Sequence, residues 1–138
     1  MWFAQEIFPL IREKHPEINF YVVGSKVTDE IKALEQPGNG IIIKGFVSEE
    51  ELAELYASCR IVVVPLRYGA GVKGKVVEAI YNGAPIVTTG TGAEGIPEAE
   101  TILEIEDDPV AFAETCVALY NLSLIDISEP TRLALISY

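Results

Sequence analysis

Ile61-Val62-Val63-Val64-Pro65-Leu66-Arg67-Tyr68-Gly69-Ala70-Gly71-Val72-Lys73-Gly74-Lys75-Val76-Val77-Glu78 is the stretch that decides the fold. Its first four residues are apolar and β-branched without interruption, and Pro65 ends the run. A strand of that composition is buried on both faces, the pattern of a central strand in a parallel sheet. Three glycines follow and let the backbone turn sharply and approach an anion, and helical spacing resumes near Gly74. A strand, a glycine-rich loop and a helix in that order place the loop at the carboxyl edge of an open sheet, where such sheets bind ligands.

The same alternation extends in both directions. Upstream, Phe3, Ile7, Leu10 and Ile11 have helical spacing up to Lys14, and Pro16 stops the helix. Residues 18–23 read as a strand closed by Gly24, 29–34 as a short helix, and 41–43 as a strand after the Pro37-Gly38-Asn39-Gly40 turn cluster. Ser48 followed by Glu51 forms a capping box for the next helix. Downstream, the loop helix runs to about residue 82 with Gly83 as its stop, 86–88 is a strand, 102–105 a last short strand, and Asp108-Pro109 opens a final helix through Tyr120. This order predicts an α/β fold with a doubly wound, Rossmann-like parallel sheet carrying helices on both faces.

The two ends read differently. The chain opens inside a helix rather than on a strand, so the sheet is expected to be incomplete at its N-terminal side. Leu-Ser-Leu-Ile-Asp-Ile-Ser-Glu-Pro-Thr-Arg at 122–132 resembles the translation of a transposon-derived sequencing adaptor. One domain is therefore expected over residues 1–121, with 122–138 a non-native tail outside it.

Composition narrows the function. The chain has 138 residues, 49% of them apolar, enough for one core. Its net charge of −11, with basic residues gathered only at the glycine loop, argues against nucleic acid as a partner. There is no apolar run of bilayer length and no signal peptide, so no transmembrane segment is expected and the cytoplasm is the expected compartment. Cys59 and Cys116 lack metal-type spacing and read as small core residues, and no carboxylate cluster suggests a metal.

The loop carries the chemistry. Helix-start amides, together with Lys73 and Lys75, suit a diphosphate. Glu78, one turn into the helix, can accept two hydrogen bonds from vicinal hydroxyls such as those of a ribose. Its plain alternative is a solvated glutamate favoured by the helix dipole. Gly69-x-x-x-x-Gly74-Lys75 nearly spells an ATP-binding phosphate loop, but Val76 stands where a magnesium-binding serine or threonine is required. Gly69, Gly71 and Gly74 also match dinucleotide-binding spacing, but after an interior strand, and Glu94 sits in a loop rather than at the strand end that this motif needs.

The run from Val63 to Ile80, followed by Asn82-Gly83-Ala84-Pro85-Ile86-Val87-Thr88-Thr89, resembles the donor-binding domain of family 4 glycosyltransferases of the GT-B fold. Phe20-Tyr21-Val22-Val23-Gly24, Gly45-Phe46-Val47-Ser48 and Gly92-Ala93-Glu94-Gly95-Ile96 fit the same family in order, so the likeness covers about residues 2–120. It implies that a nucleotide-diphosphate sugar is held for retaining transfer to an acceptor hydroxyl. Gly24, Val47 and Ser48 would lie along the nucleotide, with backbone groups of Val47 and Ser48 meeting the base. Glu78 would meet the ribose, and Gly71, Val72, Lys73, Gly74 and Lys75 the diphosphate. Lys73, Lys75 and Glu78 would carry the catalytic roles. No metal and no cofactor are implied. A glycan or lipid-linked acceptor would be bound by an N-terminal domain not present here, leaving the fragment alone inactive. The full-length protein would be cytoplasmic or peripheral at the inner membrane face.

One departure stands out. The family pairs two glutamates separated by seven residues, and the partner of Glu78 falls at Ala70. The alternative function is accordingly a non-catalytic nucleotide-binding module. Glu94 could touch sugar or ribose but reads equally as a solvated loop glutamate. His15, between Lys14 and Pro16, reads as a helix-end residue. Trp2 and Phe3 read as core residues at risk of exposure.

Overall fold

The computed structural model describes residues 2–24, 28–58, 61–66, 71, 74–81, 85–122 and 132–136, with backbone alone at 57, 58, 75, 122 and 132–136. A π-helical turn, Phe3–Ile7, leads into α1 (Phe8–Lys14). Then come β1 (Asn19–Val23), α2 (Asp29–Lys32), β2 (Ile41–Gly45), α3 (Glu49–Ser58), β3 (Ile61–Val64), α4 (Gly74–Tyr81) and β4 (Ile86–Thr88). Two short helices, α5 (Gly90–Ala93) and α6 (Ala99–Ile102), precede β5 (Glu104–Ile105), α7 (Pro109–Leu122) and β6 (Arg132–Ile136).

The six strands form one sheet in the order β2-β1-β6-β3-β4-β5, and every neighbouring pair is parallel. Strand β3 shows how its sequence sets the layers. All four of its residues are buried, and they alternate between two cores. Ile61 and Val63 point into a core shared with Phe3, Phe8, Phe20, Phe112 and Tyr120. Val62 and Val64 point into a second, with Tyr56, Val76, Ala79 and Leu103. The π turn, α1 and α7 thus cover one face, and α3 and α4 the other, as the uninterrupted apolar run required.

Local chemistry explains the boundaries. Ser48 caps α3, its Oγ accepting from the Glu51 amide at 3.1 Å. Asp108 caps α7 in the same way, accepting from Ala111 at 3.0 Å, and Pro109 takes the first helical position, where no amide donor is needed. The first helix departs from the α geometry that its spacing predicts. The Phe8 amide reaches back five residues to the Phe3 carbonyl. Pro9, next along, has no N–H for the ordinary four-residue bond, and a turn widened by one residue accommodates it.

The strand predicted at 102–105 is shorter. Glu98 adopts a left-handed conformation with φ 54°, and the Leu103 amide closes onto the Ala99 carbonyl at 2.7 Å, drawing Ile102 into α6. Only Glu104 and Ile105 pair with β4. Trp2 and Phe3 are not left exposed. Phe3 is fully buried with its ring 4.5 Å from that of Phe20, and Trp2 packs edge-on against Phe112. Cys116 is a buried free thiol in the same core, and burial pushes its pKa far up. Cys59 lies outside the described residues. His15 ends α1, its Nδ1 3.1 Å from the Glu17 carboxylate and its ring against Tyr120.

The largest difference is β6. Residues 132–136, expected to lie outside the domain, form the strand in the middle of the sheet, pairing with β1 on one side and β3 on the other. Leu133-Ala134-Leu135-Ile136 is uninterrupted apolar sequence, like β3, and suits a position covered on both faces. Among the described residues, no helix is long and apolar enough to cross a membrane.

Candidate functional site

Because all strands are parallel, their carboxyl ends share one edge. From β1 the chain proceeds outward to β2, and from β3 it proceeds in the opposite direction through β4 to β5. The edge between these diverging halves is where open α/β sheets take ligands. Gly24, directly after β1, donates to the Gly45 carbonyl at 2.9 Å, joining the ends of β1 and β2. Gly45 has φ 65°, and the chain leaves it through Phe46, which is 79% exposed, to Val47 and Ser48.

Beyond β3 and Pro65-Leu66, Gly71 is held at φ 80°, a conformation that favours glycine. Gly74 opens α4, and among the described residues outside its own helix and chain neighbours no atom lies within 4 Å of where a side chain there would begin. The first amides of a helix have no intrahelical acceptors, so the start of α4 is suited to an anion. Val72 and Lys73 lie outside the described residues, as does the side chain of Lys75; the backbone of Lys75 is in the first turn of α4.

Glu78 is half-buried on α4, and its Oε1 accepts a hydrogen bond from the Tyr56 hydroxyl at 3.0 Å. Tyr56 is a buried residue of α3. That helix begins at the Ser48 cap, so one rigid element connects the turn after β2 with the carboxylate on α4. The Ser48 side chain and carbonyl are both engaged there, accepting from Glu51 and Leu52. Tyr56 reads in sequence only as part of an apolar stripe; its hydroxyl was legible as a group needing a partner, but not which one.

A second support comes from β4. Thr88 Oγ1 donates to the Val64 carbonyl at 2.8 Å, and Thr89 Oγ1 donates to the Leu66 carbonyl while accepting from the Gly92 amide at 3.1 Å. These bonds seat α5 against the exit of β3. Just beyond α5, the Glu94 carboxylate accepts from the Gly71 amide. Gly92 is needed for this seating. A methyl group there would stand 2.0 Å from Thr88 Oγ1, which cannot retreat without losing its bond to Val64. Gly92→Ala is expected to lower stability by about 1–3 kcal/mol in urea denaturation, the usual cost of overpacking.

The groove of about 390 Å³ between α1 and α7, floored by Leu10, Val110, Ala113 and Val117 and rimmed by Glu13, Lys14, Glu114 and Asn121, contains none of the site residues above. Among the described residues there is no group of three or more His, Cys, Asp or Glu placed to hold a metal ion.

Residues 1–122 match the family described as glycosyl transferases group 1. The chain belongs to this family. An uncharacterized 44.6 kDa protein in the cps region of Klebsiella pneumoniae is 30% identical over 120 residues, covering 83% of this chain and 31% of that protein. The chain thus spans about a third of that relative's length. No solved structure matches significantly. The parallel sheet with helices on both faces is consistent with the Rossmann-like fold of the family.

Proposed function

We propose that residues 1–121, with strand β6 completing their sheet, form the donor-binding domain of a retaining family 4 glycosyltransferase with the GT-B fold, holding a nucleotide-diphosphate sugar at the carboxyl edge of the sheet. The anchoring of Glu78 by Tyr56, one turn from the start of α4, is the observation that carries this reading. A carboxylate with one oxygen oriented by a buried hydroxyl is set to accept from a ribose diol. The α4 amides, Lys73 and Lys75 take the diphosphate and stabilise the negative charge that grows on it as the glycosyl bond breaks. Gly24, Val47 and Ser48 line the nucleotide end. Since the Ser48 hydroxyl and carbonyl are engaged by α3, base recognition there falls to other backbone groups of the turn. The acceptor, a glycan or lipid-linked hydroxyl, is bound by another part of a longer polypeptide, at the cytoplasmic side of the membrane.

Calorimetric titration of the full chain with UDP, GDP and ADP tests this. Saturable binding of one nucleotide is expected, weakened about tenfold or more by Lys73→Ala and by Glu78→Ala, as when a charge-assisted hydrogen bond is removed. Tyr56→Phe is expected to weaken it less, because the carboxylate stays and only its orientation is lost. Absence of binding by a folded sample would refute the proposal. Ala70, standing where the resemblance places a glutamate, favours a second reading as a non-catalytic nucleotide-binding module. That reading expects the same nucleotide affinity without glycosyl transfer when the longer polypeptide is assayed.

A further inference from the structure

We infer that Glu94 is the carboxylate that recognises the glycosyl hydroxyls of the donor, an assignment that rests on the donor-site reading above. Its placement is built rather than incidental. Gly71, at φ 80°, directs its amide to Glu94 Oε1 across 23 residues of sequence. The short helix before Glu94 is seated by Thr88 on the Val64 carbonyl and by Thr89 on the Leu66 carbonyl, with Gly92 packed too closely for any side chain. Two strand exits are thereby locked together, and the locked pair presents an exposed carboxylate at the ligand-binding edge. Oε1 is engaged by the Gly71 amide, and Oε2 makes no hydrogen bond among the described residues.

Charge decides what such a group can meet. A carboxylate close to a phosphate oxygen is repelled, and more strongly at a protein surface than in bulk water because the effective dielectric is lower. The diphosphate is therefore directed away from the Gly71 amide and toward the start of α4, where the sequence carries Lys73 and Lys75 on either side of Gly74. A neutral polyol beside the diphosphate meets no such repulsion and offers donors to the carboxylate. The transferred sugar is that polyol. The amide nitrogen that holds Glu94 is bonded to the carbonyl carbon of residue 70. Glu94 thus brings a carboxylate next to the position where this chain carries alanine instead of an acidic residue.

The test compares UDP, GDP and ADP with UDP-glucose, GDP-mannose and ADP-glucose on the full chain, using Glu94→Gln and the double variant Ala70→Glu/Glu94→Gln. Glu94→Gln is expected to weaken the sugar conjugate about tenfold while leaving the free nucleotide within twofold, and Ala70→Glu is expected to restore much of that loss. Equal weakening of conjugate and nucleotide would show that Glu94 only shapes the loop and would overturn the inference. Tighter binding of the free nucleotide would overturn it too, by showing that the carboxylate stands in for a phosphate oxygen. Failure of the parent chain to bind any nucleotide sinks both this inference and the donor-site reading, whereas normal nucleotide binding with no effect of Glu94→Gln sinks this inference alone.

Discussion

A chain ending at residue 122 is expected to show no cooperative unfolding transition, to bind a hydrophobic dye in buffer and to aggregate, while the 138-residue chain melts as one unit. The expectation follows from the position of β6. Asn19–Val23 pair along one of its sides, and Ile61, Val62 and Val63 pair with Leu133, Ala134 and Leu135 along the other. Without β6, the facing amides and carbonyls of β1 and β3 lose their partners in a layer covered by helices. Each buried polar group left unpaired costs about 1–3 kcal/mol. Several such losses exceed the total stability of a typical domain, about 5–15 kcal/mol. Ala134→Pro in the full chain is a finer version of the same test. It removes one ladder donor from the middle of a central strand and is expected to cost about 3 kcal/mol or more. Unchanged melting of both variants would place β6 outside the cooperative unit and return 122–138 to the status of a tail.

Phe3→Ala is expected to lower stability by about 3–5 kcal/mol, the range for deleting a large aromatic from a core that cannot collapse. Phe3 is fully buried, and its ring centroid lies 4.5 Å from that of Phe20, 5.8 Å from Phe112 and 6.1 Å from Phe8. It therefore contacts β1, α1 and α7 together, and the cavity left by its removal would be walled by three elements already fixed by backbone hydrogen bonds. Chemical denaturation followed by the fluorescence of Trp2, which packs on Phe112 at the edge of the same cluster, reads the effect directly. A loss below about 1 kcal/mol would mean that the π-helical turn relaxes into the cavity. Phe46, 79% exposed, is the internal control, since its replacement by alanine should leave stability within about 0.5 kcal/mol.

Elements whose signals are local were legible in the sequence. The four-residue run of β3, the Ser48 and Asp108 caps and the glycine-ended strand β1 each depend on residues close in sequence, and each appears within a residue or two of its expected place. Elements that depend on remote partners were not. Nothing near Tyr56 identifies Glu78 as the acceptor for its hydroxyl, and nothing near Glu94 indicates that its carboxylate closes onto Gly71. The short helices α5 and α6 escaped because four residues carry too little periodicity to register, even with Thr89 available as a cap. β6 is hard to read in the sequence because the residues before it resemble a foreign tail, although its own composition is that of a buried strand. Of the candidate site, the glycines and Glu78 follow from the strand, loop and helix order, while the groups that orient them required three-dimensional proximity.

The strand order also determines when the fold can close during synthesis. β1 and β2 emerge first and β3, β4 and β5 next, and among the described residues these two groups share no ladder of their own; β6, which joins them, follows the other five described strands. A ribosome delivering residues at roughly 5–20 per second leaves the nascent chain with two half-sheets and two open inner edges until that last strand arrives. Contacts between β1 and β6 span most of the sequence, and such remote pairing slows folding. The interval before β6 is made is thus when the chain is most open to wrong partners, and a helper that shields bare strand edges would act at that stage.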